Sequence, residues 1–196
     1  MKPGEAKSRY HGTWVLVCAA LAAFTACLDV DRMNINLTLD EKDLYTGQAK
    51  IEFLNIHSTE GSPEKQKREM DELFLEYRAE ADNVLRVMPL YDPVVTLRNK
   101  KALSTDAVIE GKFKNVLSVL ASLLSEGEFR VEGDRKTLSV YCKNPFNDSD
   151  ETDLIIRYPG KILSHNSKNF DAKTHTMKWR LGSTGDREIR FALKSE

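Results

Sequence analysis

The chain of 196 residues lacks several features, and each absence narrows what it can be. It has only three cysteines, Cys18, Cys27 and Cys142, which are too few for a disulfide framework. Its longest apolar run covers about eleven residues, whereas a membrane-spanning helix requires roughly eighteen or more. A formal net charge of −1 argues against nucleic-acid binding, because affinity for phosphates requires clustered Lys and Arg. A composition of 41% apolar and 30% charged residues is nevertheless sufficient for one globular core.

Catalytic signatures are also missing from the sequence. It contains neither a Gly-x-Ser-x-Gly elbow nor a phosphate-binding loop. None of His57, His165 and His175 stands at metal-ligand spacing from a cysteine or a carboxylate. His165 or His175 could pair with Cys142 as base and nucleophile, but nothing local supports such a pair. We therefore predict that the protein is not an enzyme and that it has no cofactor.

The most polar stretch is "NPFNDSDETD", which ends at Asp153. Asp148, Asp150 and Asp153 offer oxygen atoms of the kind that Ca²⁺ binds. The stretch lacks the glycine and the distal glutamate of an EF-hand loop, so a solvated turn without a metal is the expected structure. Cys142, in "KTLSVYCK" just before this stretch, is expected to be a half-buried thiol on a strand.

The amino terminus has the three parts of a secretory signal. Residues 1–13 are polar with basic side chains, about eleven apolar residues follow, and small residues precede Cys27. The tetrapeptide "FTAC" resembles the lipobox of bacterial lipoproteins, with Phe24 in place of the usual Leu. The resemblance implies that the chain is cut before Cys27 and that Cys27 receives diacylglycerol and usually a further acyl chain. An ordinary cleaved signal and an uncleaved anchor or buried helix are the alternatives.

Lipidation at Cys27 divides the chain into a lipoprotein signal peptide, 1–26, and a single extracytoplasmic domain, 27–196. Of the 29 basic and 30 acidic side chains, residues 1–26 contain three and one, so the remainder has 26 against 29 and a net charge of −3. A domain with this net charge has no overall electrostatic attraction to anionic lipid, so the acyl chains would hold it to the membrane. Leu28 follows Cys27 where some diderm bacteria use Asp for inner-membrane retention, which favours the outer membrane in a cell with two membranes.

Apolar patterns after Cys27 predict an α+β fold. Alternating residues in "MNINLTLD" and "AKIEFLNI" predict an antiparallel hairpin with one buried face. Ser62 and Pro63 suit the start of a helix whose apolar residues recur at helical spacing to about Met88. A second helix, "VLSVLASLLSEG", is expected to end at Gly127. The expected order is β-β-α-β-β-α-β-β followed by carboxy-terminal strands, forming a mostly antiparallel β-sheet with both helices packed on one face.

A second resemblance lies near the carboxy terminus. Pro159 and Gly160 suit the central positions of a type II turn, and Asn166 and Trp179 follow. A Pro-Gly-Lys turn followed by Asn and then Trp is similar to a stretch in the LppM-type family of envelope lipoproteins, and "CLDVDRMNINLTLDEKDLYTG" is similar to the start of that family's domain. The resemblance implies an anchored α+β domain with no established catalytic residues. Lipid or lipoglycan binding has been attributed to a mycobacterial member, but no ligand residues carry over to this chain.

Two functions follow from these patterns. The leading hypothesis is a membrane-anchored, non-catalytic envelope lipoprotein that binds a lipid or a lipid-linked glycan in a groove between sheet and helices. The alternative is a structural or assembly subunit whose surface holds an envelope protein partner. An apolar groove and an apolar interface have the same composition, so the sequence does not separate them. A continuous apolar cavity would favour a ligand, and a filled core with an exposed apolar patch would favour a protein partner.

Overall fold

The computed structural model describes residues 28–73, 89–124, 128–143, 151–182 and 185–195. The predicted signal peptide, Cys27, the predicted end of the first helix and most of the acidic loop lie outside these ranges. The described strands are β1 Leu28–Leu39, β2 Gly47–Ser58, β3 Tyr91–Arg98, β4 Ser104–Phe113, β5 Phe129–Gly133, β6 Thr137–Lys143, β7 Glu151–Arg157, β8 Lys161–His165, β9 Asn169–Asp171, β10 Thr176–Leu181 and β11 Glu188–Lys194. The helical segments are α1, described over 63–73, and α2 Val116–Leu124.

The first two strands form the hairpin that their alternating residues predict. β1 and β2 pair antiparallel, with Ile35 opposite Ile51 and Met33 opposite Phe53. Ile35 and Ile51 are buried, whereas Thr38 on the other face is exposed. Because successive side chains of a strand point to opposite faces, the hairpin has one apolar and one polar face.

The strands form two sheets. Sheet A has seven strands in the order β3-β4-β2-β1-β7-β10-β9, and sheet B has four in the order β5-β6-β11-β8. Every pairing is antiparallel except that of β1 with β7. The predicted α+β class and the order of its elements are therefore confirmed. The second sheet was not predicted. After β6 the chain crosses repeatedly between the sheets, with β7, β9 and β10 in sheet A and β8 and β11 in sheet B. The apolar faces of both sheets contribute to one cluster of buried side chains.

Both helical segments join that same cluster. Ser62 caps α1 as predicted, since its hydroxyl accepts a hydrogen bond from the Lys65 backbone N–H at 3.3 Å. Met70 of α1 and Leu120 of α2 are completely buried in the cluster. In the described part of the chain, neither helical segment has the length and apolarity needed to cross a membrane. The predicted extension of α1 to Met88 lies outside the described residues.

Asn166, between β8 and β9, links the two sheets. Its side-chain oxygen accepts hydrogen bonds from the Trp179 indole N–H in sheet A and from the Arg190 backbone N–H in sheet B, both at 2.8 Å. Its side-chain nitrogen donates to the Glu188 carbonyl at 3.0 Å. The rings of Trp179 and Phe191 pack beside this link, with centroids 5.8 Å apart. The Asn and the Trp singled out in the sequence are thus parts of one structural contact.

The turn at Pro159 and Gly160 is not the predicted type II turn. A type II turn places its third residue at positive φ, and Gly160 does not have a positive φ. A glycine is required there for space, because a Cβ on Gly160 would lie 2.4 Å from the Tyr158 hydroxyl oxygen. Tyr158 is completely buried, and its hydroxyl is 2.9 Å from the Lys194 carbonyl oxygen. The buried ring therefore accounts for the glycine.

Gly160→Ala is expected to lower the free energy of unfolding by about 1–3 kcal/mol, because the added methyl group overlaps the Tyr158 ring. Urea unfolding followed by circular dichroism measures the change. Gly61→Ala is the matched control: nothing lies within 4 Å of its added Cβ, so stability should be unchanged or slightly higher. Equal losses in the two variants would contradict the steric explanation.

Candidate functional site

Cys27, the predicted lipidation residue, lies outside the described residues, so its lipidation stays a prediction. β1 begins at the next residue, Leu28. Leu28 is opposite Ser58 of β2, and the residue before Ser58 is opposite Ser104 of β4. The loop 99–103 between β3 and β4 therefore lies at the same end of sheet A as the start of β1. We call this end of sheet A the anchor end.

Cys142 is a core residue without the properties of a nucleophile. It is completely buried on β6, rather than half-buried as predicted, and its thiol donates to the Lys143 carbonyl oxygen at 3.2 Å. Burial raises the pKa of the Cys142 thiol to about 12. Because the thiolate is the reactive form of cysteine, Cys142 is unreactive at neutral pH.

The described histidines do not form a pair with Cys142. β11 lies between the strands of Cys142 and His165, and the two residues are two positions apart along the register. These offsets put their Cα atoms roughly 11 Å apart. The His165 ring packs against the Phe170 ring in a tilted arrangement, with centroids 4.4 Å apart. His175 lies in the turn before β10, and His57 lies on β2. The nucleophile and base considered from the sequence are thus separated, and the absence of catalysis stays a prediction.

Asp153 is buried rather than part of a solvated turn. Its side chain, on the polar face of sheet A, is 2% exposed. It accepts a hydrogen bond from Arg32, lies 2.8 Å from the Lys178 ammonium and lies 3.5 Å from Nε of Arg180. Burial alone would raise the pKa of Asp153, but hydrogen bonds and charge from Lys178 and Arg32 hold this pKa below its ordinary value. The carboxylate is therefore ionised at neutral pH.

Of the three aspartates considered as calcium ligands, only Asp153 belongs to the described residues. Asp148 and Asp150 lie outside the described ranges. The oxygens of Asp153 are occupied by three cationic side chains, which leaves them unsuited to a metal ion. Over the described part of the chain, no group of three or more His, Cys, Asp or Glu side chains is placed to hold a metal.

The outward face of sheet B forms a shallow depression of about 390 Å³. Residues of all four strands of sheet B line it, with Arg130 of β5 opposite Tyr141 of β6, and Tyr141 opposite Arg190 of β11. Glu132, two residues after Arg130 on β5, is also part of the lining. The guanidinium carbon of Arg190 lies 5.2 Å from the centre of the Tyr141 ring. Ser139 and Ser164 add hydroxyl groups. The depression therefore presents an aromatic ring between two guanidinium groups.

The depression contains charges of both signs, because Glu132 lines it together with Arg130 and Arg190. The Arg190 guanidinium is 2.8 Å from the Glu188 carboxylate, yet 59% of the Arg190 side chain is exposed. Arg130 is exposed and forms no ion pair with another described residue. A guanidinium group binds a phosphate or carboxylate through two parallel hydrogen bonds, and a tyrosine ring offers a flat apolar surface beside a polar hydroxyl. This arrangement suits a ligand that carries an anionic group next to a sugar ring.

Sequence reasoning did not identify these lining residues. Arg130, Tyr141 and Arg190 stand at alternating positions of segments predicted as strands, so each could have been given an outward orientation. The missing information was the pairing of β11 with β6 across the intervening strands β7 to β10, which is what places Arg190 beside Tyr141. A guanidinium and an aromatic residue on the same face of two strands was the available signal.

Comparisons with known proteins gave one structural likeness. No family profile matches the chain, and no curated protein sequence matches it. The structure is similar to the folded domain of the LppM protein of Mycobacterium tuberculosis, determined by NMR, with a TM-score of 0.46 and 8% sequence identity. The likeness covers 84% of this chain and 89% of that one. With so few identical residues, it is a likeness of backbone fold.

Asp153→Asn is expected to lower the free energy of unfolding at pH 7 by about 2 kcal/mol, because hydrogen bonds to a charged group are lost. The folded-state pKa of Asp153 is depressed, so its contribution is present above the unfolded-state pKa and is lost as pH falls through the folded-state value. The difference between wild type and variant should therefore shrink below about pH 4. Chemical unfolding at a series of pH values measures it.

The matched control for Asp153 is Glu151→Gln. Glu151 lies on the same strand, 4.0 Å from Arg32, but 55% of its side chain is exposed. An exposed pair of this kind contributes about 0–1 kcal/mol, so the control should differ little from wild type at any pH. A pH-independent loss in Asp153→Asn would show that packing rather than the carboxylate charge is responsible.

Proposed function

We propose that the protein is a non-catalytic, lipid-anchored lipoprotein of the bacterial cell envelope whose α+β domain binds the polar part of a lipid-linked glycan. The observation that carries this proposal is the depression on sheet B, where Tyr141 lies between Arg130 and Arg190. The two guanidinium groups suit a phosphate, and the ring between them suits an adjoining sugar.

The shape of the depression favours the headgroup of such a lipid over its acyl chains. An acyl chain is bound in an enclosed, largely apolar site. The depression is instead open, and its lining includes arginine, glutamate, serine and tyrosine side chains. The groove that the sequence suggested between sheet A and the helices involves a helix predicted to run to about Met88, and residues 74–88 lie outside the described ranges. The binding proposal therefore rests on sheet B.

The position of β1 supports anchoring at Cys27. β1 begins at Leu28, so no linker separates the proposed acylated residue from the folded domain. A domain attached in this way remains within a few ångströms of the lipid headgroups. A headgroup ligand in the same membrane is then present at high effective concentration, which makes a shallow site useful at modest intrinsic affinity.

A structural or assembly subunit is the second candidate. Leu163 of β8 and Phe170 of β9 are 46% and 38% exposed, and their strands are edge strands of sheet B and sheet A. Exposed apolar side chains and exposed strand edges are features that a protein partner covers. Failure to bind a sugar phosphate, together with a stoichiometric partner lost on Leu163→Ser, would favour this candidate.

Lipidation is tested by mass spectrometry of the protein purified from the membrane fraction. The wild-type chain is expected to begin at Cys27 and to carry acyl mass, since the lipobox resemblance ends at that residue. Cys27→Ala should remain unprocessed and unacylated. Cys18→Ala is the matched control and should be processed and acylated normally. A wild-type chain that begins elsewhere, or carries no acyl mass, would overturn the anchor.

Ligand binding is tested with α-glucose 1-phosphate, using saturation-transfer NMR on the detergent-solubilised protein. Arg130→Gln and Arg190→Gln are each expected to weaken binding roughly tenfold, because each removes a charge-assisted hydrogen bond. Tyr141→Leu should remove saturation transfer to the sugar ring protons while retaining binding of inorganic phosphate.

Arg157→Gln and Arg187→Gln are the controls for this titration. Both arginines are exposed and neither lines the depression, so these changes remove the same charge from other surfaces. They should leave the dissociation constant within about twofold of wild type, as expected for distant surface charges at physiological salt. Equal weakening by the control substitutions, or equal binding of uncharged glucose, would contradict the assignment to sheet B.

A further inference from the structure

The depression on sheet B contains two rows of outward side chains that differ in chemistry. Strand pairing places Glu132, Ser139, Ala192 and Ser164 opposite one another across β5, β6, β11 and β8, and all four line the depression. This row lies two residues along the strands from the row that holds the Tyr141 ring and its two arginines, so the rows are roughly 7 Å apart. We call the row that begins at Glu132 the carboxylate row.

The short side chains of the carboxylate row leave space for a ligand. Ala192 lies between Ser139 and Ser164, and none of the three side chains extends far from the sheet. The volume of about 390 Å³ falls within the roughly 300–1,000 Å³ of small-molecule sites, near the lower end. A single sugar ring therefore fits over Ala192, where the two serine hydroxyls are available to donate or accept hydrogen bonds.

The Glu132 carboxylate is available at one end of this row. Glu132 is exposed, and within the described ranges no hydrogen bond or ion pair involves its side chain. The backbone that carries it is held by the β5–β6 turn, in which Gly133 has φ of 126° and the Asp134 carboxylate accepts hydrogen bonds from the Lys136 and Thr137 backbone N–H groups at 2.8 and 2.9 Å. The carboxylate is thus fixed at its base and open to a ligand.

The charges of the depression are separated by sign. Arg130 and Arg190 belong to one row and Glu132 to the other, and no ion pair joins Glu132 to either arginine in the described structure. Arg190 is paired with Glu188, which lies on the side away from the carboxylate row. Two guanidinium groups and two carboxylates have no net formal charge. A ligand that is only anionic meets Glu132 as a like charge, whereas a phosphate joined to an ammonium group meets an opposite charge in each row.

The charged residues of the nearby turn are engaged with each other or with β1–β2. Arg135 is paired with Asp43 at 2.8 Å. The charge of Lys136 acts on the Asp134 carboxylate, which the backbone of the turn already holds. These contacts leave Glu132 as the carboxylate that faces the ligand space from β5.

The lysines of the next row are distant from Glu132. Lys194 of β11 and Lys161 of β8 are opposite each other, and these strands are two and three places from β5 in sheet B. Their Cα atoms are roughly 12–16 Å from the Glu132 Cα, beyond a Debye length of about 8 Å at physiological salt. An ammonium group bound at the β5 side of the depression is therefore well separated from both lysines.

We propose that the carboxylate row recognises an amino group on the sugar, so that the ligand is a lipid-linked glycan containing an amino-sugar phosphate. The inference rests on the proposed function and names the ligand class of the same site. The long side chains of Arg130, Arg190 and Glu132 bring the two rows within reach of a phosphate and an amino group on one sugar. Glu132 determines specificity in this arrangement, and the arginines provide the attachment to phosphate.

The test compares glucosamine 1-phosphate with α-glucose 1-phosphate, which differ by the replacement of one hydroxyl with an ammonium group. Both are titrated into the detergent-solubilised protein at neutral pH and followed by saturation-transfer NMR. The wild type is expected to bind glucosamine 1-phosphate about threefold to fivefold more tightly, the gain of an exposed ion pair. N-acetylglucosamine 1-phosphate, which lacks the positive charge, should show no such gain.

Glu132→Gln is expected to bring the two dissociation constants to within about twofold of each other, because the partner of the ammonium group is lost. Its affinity for α-glucose 1-phosphate should be unchanged or slightly higher. Glu128→Gln is the matched control: Glu128 is exposed, precedes Arg130 by the same two residues, and does not line the depression. It removes the same charge at the same spacing and should retain the preference.

O-Phosphoethanolamine separates the sugar from a phospholipid headgroup, because it carries both charges without a ring. It should bind more weakly than glucosamine 1-phosphate, since it has nothing to pack on Tyr141. Equal binding of the two would assign the site to a phospholipid headgroup and overturn the amino sugar.

Three further results would overturn the inference: no preference in the wild type, a preference that survives Glu132→Gln, or an equal loss of preference in Glu128→Gln. In each case, binding of α-glucose 1-phosphate that still depends on Arg130 and Arg190 leaves the proposed function intact. Failure of both sugar phosphates to bind the wild type overturns the proposed binding function itself.

Discussion

The hydrogen bonds of one amide side chain, that of Asn166, connect the core to the candidate binding face. The amide joins the Trp179 indole, which is completely buried in sheet A, to the backbone of Arg190 in sheet B. The Arg190 side chain leaves this fixed backbone on the outward face and reaches the Tyr141 ring. Leaving the buried Trp179 N–H without an acceptor would cost free energy, so the Asn166 amide holds the two sheets in one relative position. The position of the guanidinium in the depression depends on a contact made on the other side of the same strand.

The ionic cluster at Asp153 has a comparable role within sheet A. Arg32 and Asp153 are 121 residues apart in sequence, and their strands, β1 and β7, form the parallel pair of the sheet. Lys178 and Arg180 bring β10 into the same cluster. Removing one partner of a buried charge cluster lowers the stability of the fold by more than the whole cluster contributes to it, because an uncompensated buried charge is left behind. Such a cluster therefore favours one register among the carboxy-terminal strands.

Local sequence patterns predicted correctly those features that depend on interactions between residues close in sequence. The alternation around Ile35 and the cap at Ser62 depend on residues close in sequence, and both were confirmed. The division into two sheets depends on the partners that β7 to β11 choose, and nothing within a strand specifies its partner. The sequence suggested that Gly160 was needed for a type II turn. The actual reason is the nearby Tyr158 ring, whose burial is a tertiary property that a local pattern does not show. The depression on sheet B was not predicted for the same reason, because only the pairing of β11 with β6 brings Arg190 next to Tyr141.

The central position of β1 has a mechanical consequence. β1 runs between β2 and β7 in the interior of sheet A, and it begins at the residue after the proposed tether. A pull on that tether acts along the strand and loads the hydrogen bonds on both of its sides in shear, so that they resist together. An edge strand pulled from its end would instead separate one bond at a time. A tether proposed at this position would therefore pull on a strand that is hydrogen-bonded on both of its sides.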